Sequence, residues 1–163
     1  EIDEGWHASY KTLLQDCPYA NLLHVAGRLD FDTEWLVLCS NDGQFTHNII
    51  SPKKHLEKEY YVETSTPISS EDLKKLEQWV TLEDGYKTLP AKAIYANDKN
   101  SPHENSIDYK QKILLTITEG KFHQVKRMIE AIWSQVTYLC RMRIWDWIIE
   151  DLEKGKWKYI EIS

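Results

Sequence analysis

KILLTITEGKFHQVKRMIEAIW, residues 112–133, contains a change of hydrophobic period that decides the fold class. Lys112 to Thr118 is a short apolar run rich in β-branched residues, the pattern of a strand. Glu119-Gly120 ends it. From Phe122 to Trp133 the apolar residues Val125, Met128, Ile129 and Ile132 fall at i, i+3, i+4 and i+7, which is one face of a helix. His123, Lys126, Arg127 and Glu130 make the other face. To the N-terminal side, Ala91–Ala96 predicts another strand, and polar Asn97–Asp108, with Pro102, predicts the loop between the two. Glu57–Thr64 (EKEYYVET) alternates and is rich in Tyr and Val, and a turn at Pro67–Ser70 leads into a helix over Glu71–Val80, with Ser69 and Asp72 at capping-box spacing. Nearer the start, Asn21–Ala26 and Leu36–Cys39 are short apolar runs of strand type on either side of a charged loop, Gly27–Glu34. On the C-terminal side Val136–Cys140, Ile144–Ile149 and Trp157–Ile162 predict three more strands. The sum is an α+β domain, a mixed and mainly antiparallel sheet flanked by two or three helices, without internal repeats or a linker.

Composition sets the outer bounds. With 163 residues, 42% hydrophobic and 28% charged, the chain fits one soluble domain, and disorder, collagen-like repeats and a membrane span are excluded. A net charge of −6 argues against coating nucleic acid nonspecifically but leaves room for a local basic cleft. Cys17, Cys39 and Cys140 form no CxxC pair, and no His stands at zinc spacing, so neither a disulfide framework nor a metal site is indicated and a reducing cytoplasm is the simple reading. Glu1–Tyr10 is acidic and polar and reads as no signal or transit peptide. One count is out of line: average usage predicts roughly 11 glycines. The chain has 6, fewer than its 7 tryptophans.

Three segments could carry chemistry. Gly27-Arg28-Leu29-Asp30-Phe31-Asp32-Thr33 places two carboxylates and an arginine between apolar strands, where a rigid sheet can aim them; the same acids are also ordinary turn formers. Glycosidase chemistry fits poorly, because its two carboxylates must flank a substrate about 5–10 Å apart. Thr118–Arg127 brings hydrogen-bonding and cationic residues to a helix start, suited to a phosphate or a base edge, or equally to a solvated helix face. Ser51–Lys58 concentrates Lys53, Lys54, Lys58 and His55 just before Tyr60-Tyr61. Cations beside aromatics suit a flipped or single-stranded base, although Tyr60 is also suited to cross-strand packing.

GRLDFDTEWLVLCSNDGQFTHNIISPKKHLEKEYYV (27–62), DGYKTLPA (84–91) and LTITEGKFHQVKRM (115–128) together resemble the RsuA-type branch of the pseudouridine synthases, and the likeness continues to Val136–Arg141 and Gly155–Trp157. A lone GRLD would carry little; three motifs in order carry much more. The resemblance implies a pseudouridine synthase catalytic domain over 1–163 that isomerises one uridine of ribosomal RNA without a cofactor or metal. It implies Asp30 as the essential carboxylate, acting as nucleophile or as base, Tyr60 as the tyrosine that stacks on the target base, and Lys126 as the cation paired with Asp30. It implies Arg28 filling the gap left by the flipped uridine, with Lys53, Lys54, Lys58, His123, Gln124 and Arg127 holding phosphates and bases. DGQFTHNIISPKKH and DGYKTLPA are most similar to the small-subunit rRNA enzymes. A large-subunit rRNA synthase and a noncatalytic RNA-binding module that has kept the fold are the alternatives.

The chain also departs from the family pattern. No S4-type RNA-binding domain and no N-K-P-x-G strand precede GRLD, so the expectation is an N-terminally incomplete catalytic domain whose unpaired sheet edge offers a route to a dimer. Trp35, Trp79, Trp133 and Trp145 stand on family glycine positions, and Trp6 and Trp147 align with glycine more loosely. Restoring four to six of them gives 10–12 glycines, close to the roughly 11 expected. Either these positions are UGA codons read as glycine in the native host, or the enzyme has a degenerated site.

Overall fold

A computed structural model describes residues 14, 16–27, 30, 32–149 and 152–161. Its centre is a mixed six-stranded sheet in the order β2-β7-β4-β6-β5, with β8 hydrogen-bonded to β7. The strands are β2 (Glu34–Trp35), β4 (Lys58–Thr64), β5 (Lys92–Tyr95), β6 (Lys112–Ile117), β7 (Val136–Ile144) and β8 (Trp147–Ile148). β2 runs parallel to β7, and every other pairing in the sheet is antiparallel. A two-stranded antiparallel ribbon, β1 (His24–Val25) with β3 (Cys39–Ser40), stands apart from it.

Three α-helices lie among the described residues: α1 (Gly43–Ile50), α2 (Ser70–Gln78) and α3 (Gln124–Ala131). Ser69 caps α2 through its hydroxyl, which accepts from Asp72 N at 3.1 Å. α1 has no counterpart in the sequence reading, although Asp42 is an N-cap whose carboxylate accepts from Gln44 N and Phe45 N. One face of the sheet packs Tyr60, Val62, Leu115 and Ile117 against Leu73 and Leu76 of α2 and Val125, Met128 and Ile129 of α3. A second cluster, Ala26, Leu36, Leu38, Ile49 and Ile144, joins the ribbon and α1 to the sheet edge.

Four strand expectations are corrected. Asn21–Ala26 is strand only at His24–Val25, after a short helical turn at Ala20–Leu22, and Leu36–Cys39 gives only Cys39 to β3, while β2 begins earlier at Glu34, inside the stretch expected to be loop. The run expected to form a strand over Ile144–Ile149 is divided, because β7 continues to Ile144 and turns at Trp145-Asp146 into β8. Trp157–Ile162 forms no strand over its described part: Tyr159 is 69% exposed, and alternation that buries nothing gives a strand no stability.

The backbone at the tryptophans is informative. Trp133 has φ +66° and follows α3 in a Schellman arrangement, with Trp133 N donating to Glu130 O and Ser134 N to Ile129 O. Glycine is the usual residue there, and the Trp133 side chain is 92% exposed. Trp145 has φ +51° at the first position of the two-residue β7–β8 hairpin, again a glycine position. Trp79 is different, with extended backbone at φ −177°. Trp35 lies in β2, and Trp6 falls outside the described residues.

No helix among the described residues is long and apolar enough to cross a membrane. The three cysteines are free thiols, and burial pushes that of Cys140 up to about 11, so it stays protonated at neutral pH.

Candidate active site

The loop from β1 to β2 carries Asp30 to a cavity of about 190 Å³ lined by β4, β6, β7 and the turn before α3. Gly27, where the loop leaves the ribbon, has φ +113°, a conformation that a side chain would oppose. The Asp30 side chain is 19% exposed, so the carboxylate is mostly withdrawn from water but reachable.

Tyr60 and Arg141 form the floor. They are partners across β4 and β7, and both are buried. Arg141 Nε and Nη2 donate to Leu36 O at 3.1 and 2.9 Å, which anchors the guanidinium to the strand after the loop. The guanidinium also hydrogen-bonds the Tyr60 hydroxyl, and because arginine has only donors, the phenol oxygen accepts. Burial raises the Tyr60 phenol above its ordinary value; Arg141 opposes that rise and the charge of Asp30 adds to it. Burial lowers Arg141, while Tyr60 and Asp30 favour its charged form. An arginine nonetheless remains a cation at any working pH. The Asp30 charge therefore lies within electrostatic reach of a buried phenol and a buried guanidinium.

The wall is the turn from β6 into α3. Glu119 accepts from Gln124 Nε2 at 2.7 Å, from Leu89 N at 2.9 Å and from the Tyr86 hydroxyl, while Lys121 N donates to Gln124 Oε1 at 2.9 Å. This buried carboxylate–amide clamp fixes His123, whose φ is +47° and whose Nε2 lies 3.3 Å from Asp30 Oδ1. Lys126 lines the same cavity and is ion-paired with Asp32, whose carboxyl its ammonium holds below the ordinary value. Lys58 also lines the cavity, and burial, helped by Arg141, lowers its ammonium below the usual lysine value.

Of the residues singled out in the sequence, Asp30, Tyr60, Lys58, His123, Gln124 and Lys126 share this cavity. Gln124 is there as part of the clamp, with both ends of its amide engaged. Arg127 is not in the lining; it pairs with Glu83 at 2.6 Å and Asp84 at 2.5 Å, tying α3 to the turn after α2. Lys53 and Lys54 sit on an exposed turn between α1 and β4, outside the lining. Arg28 lies outside the described residues. Sequence reasoning missed Arg141 and Glu119. The strand VTYLCRMRI carries two arginines, Arg141 and Arg143, and nothing local in the sequence marks Arg141 as the buried one. Among the described residues, no cluster of His, Cys, Asp or Glu is arranged to hold a metal ion.

The family model described as RNA pseudouridylate synthase matches residues 3–131. An uncharacterized RNA pseudouridine synthase of Bacillus subtilis is 51% identical over 118 residues, covering 72% of this chain and 46% of the relative. The ribosomal small subunit pseudouridine synthase A of Vibrio parahaemolyticus is 38% identical over 160 residues, covering 97% of this chain and 64% of the relative. The chain thus spans about half to two thirds of the length of these relatives. A crystal structure of a pseudouridylate synthase superposes with a TM-score of 0.75 at 38% identity, covering 88% of this chain and 59% of that one.

Proposed function

The chain belongs to the RNA pseudouridylate synthase family, and from that premise we propose that it isomerises a uridine of ribosomal RNA to pseudouridine, with Asp30 as the catalytic carboxylate. The observation that carries the reading is the placement of Asp30 on a cavity whose floor is the Tyr60–Arg141 pair. The inferred substrate is small-subunit rRNA, supported by the name of the Vibrio parahaemolyticus relative.

In the reaction the N1–C1′ bond of the uridine breaks, the base rotates, a C5–C1′ bond forms, the proton on C5 leaves and N1 takes up a proton in its place, so the atoms balance. Nothing is oxidised or reduced. Asp30 serves as an anion, either attacking C1′ and departing when the new bond forms or removing a sugar proton; both routes use the same carboxylate. Arg141 supplies fixed positive charge beside it. Tyr60, held neutral by burial and accepting from Arg141, offers its ring to the flipped base and keeps its own proton to donate. Lys58, His123 and Lys126 place donors around the mouth of the cavity for phosphates and base edges.

The test is tritium release from small-subunit rRNA labelled at uridine C5, with Asp30→Asn as control. Release by the protein and loss of release in the variant is the expected pair of results. No release from any rRNA, or equal release by the variant, overturns the catalytic reading and leaves an RNA-binding module.

A further inference from the structure

We propose that Phe122, stacked on His123, is a platform for a second, unpaired nucleobase beside the flipped uridine; this rests on the reading of the cavity as a uridine site. The two rings lie 3.8 Å apart between centroids and 20° from parallel. Phe122 is 61% exposed in spite of that stack, and it lines the same cavity as Asp30. A large apolar ring this exposed, on a cavity that also carries Lys58, Lys121 and Lys126, is poorly placed for core packing. Its face away from His123 is well placed for a base, since every base has a π-face and stacks on an aromatic side chain regardless of sequence.

The geometry is also set before any ligand arrives. His123 touches Asp30 through Nε2 on one side and Phe122 through its ring on the other, so platform and carboxylate are linked by one side chain. The turn that carries both rings is held by the Glu119–Gln124 clamp and by Arg127 Nη1, which donates to Phe122 O at 3.2 Å. A base stacked on the outer face of Phe122 is separated from a uridine at Asp30 by the phenyl and imidazole rings, as a neighbour splayed away from a flipped nucleotide would be.

The experiment compares Phe122→Leu and Phe122→Ala, which remove the π-face, with Phe122→Tyr, which keeps it. The probes are small-subunit rRNA and a single-stranded RNA hexamer with 2-aminopurine on each side of its one uridine. For Leu and Ala the Kd for rRNA should rise roughly fivefold or more, the loss expected for one stacked base. The slope of log Kd against log salt should not move, because no phosphate contact is removed. Binding should quench the 2-aminopurine fluorescence with the native protein and with Phe122→Tyr, but not with Leu or Ala. Unchanged affinity and quenching in Phe122→Leu, or a change confined to the salt slope, overturns the platform. The proposal is separable from the catalytic one: if the native protein releases no tritium yet binding still depends on the ring at 122, the platform stands and the reaction falls.

Discussion

Tyr60 and Arg141 face one another across β4 and β7 because of a bulge. Glu59 pairs with Arg143, yet the next residue, Tyr60, pairs with Arg141, so Met142 is the extra residue on β7. In a regular ladder Met142 would stand opposite Tyr60 and the guanidinium would be displaced from the phenol. Bulges re-aim side chains in this way beside functional sites.

Arg141→Lys keeps the charge but loses the planar fork that serves Leu36 O and Tyr60 together. The expected result is a fall in kcat of about 100-fold, the scale of losing one preorganised donor. RNA affinity should change little, because the residue lies on the cavity floor. Arg141→Met should be less stable and no more active. Equal kcat in Arg141→Lys and the native protein would remove Arg141 from catalysis.

Trp133→Gly and Trp145→Gly should each stabilise the protein by about 1 kcal/mol, the scale of relieving a left-handed backbone at a non-glycine residue. The positions lie on separate turns, so the gains should add in a double variant. Trp79→Gly is the control: its backbone is extended, its ring lies 3.7 Å from Lys87 Nζ, and no gain is expected. Denaturant unfolding measures all three. The gene carries an independent check, since a UGA codon at 133 and 145 makes glycine the native residue and a UGG codon makes it tryptophan.

Neutralising Lys53 and Lys54 together should weaken rRNA binding and flatten its salt dependence, whereas neutralising Lys74 and Lys75 on α2 should do neither. The first pair sits on the turn leading into β4, the strand that brings Lys58 and Tyr60 to the cavity. Lys75 is already paired with Asp72 at 2.7 Å. Equal effects of the two pairs would move the RNA to another face.

Glu34 links β2 to β7 and to the C-terminal segment, accepting from the Tyr138 hydroxyl at 2.6 Å and pairing with Lys154. Lys154, then Tyr138, hold its carboxyl below the ordinary glutamate value. The sign follows: a depressed carboxylate contributes its full stability above pH 4.5 and loses it as pH falls through the lowered native value. Glu34→Gln should therefore be less stable than the native protein at neutral pH, by at most about 1 kcal/mol for a pair this exposed. The difference should vanish in acid. A gap that persists unchanged in acid would assign the loss to packing instead.

The elements with the clearest period were legible in the sequence: β4, β6, α2 and α3 stand within two or three residues of where alternation, capping and the i, i+3, i+4 pattern place them. Helix α1 was not, since Gly43 opens it and its apolar face rests on few residues, so the Asp42 cap was its only strong local signal. Within the site, Asp30 and Tyr60 are named through the resemblance of their motifs to the family, since spacing alone suits a turn former and a packing residue equally. Arg141 is not, because its importance comes from a bulge and from the carbonyl of residue 36, a relation between strands far apart in sequence.

That carbonyl has a wider consequence. Leu36 N donates to Arg141 O, and Leu36 O receives the Arg141 guanidinium, so the two residues hold each other by main chain and side chain at once. Until residue 36 docks, the guanidinium lacks the carbonyl that takes two of its donors, and Asp30, six residues earlier in the same chain, is not tied to the sheet through that link. The proposed catalysis and closure of the sheet edge should therefore be lost together. In denaturant, activity should disappear along the same transition curve as the β-sheet signal, with neither a folded, inactive species before it nor an active, partly open one after it.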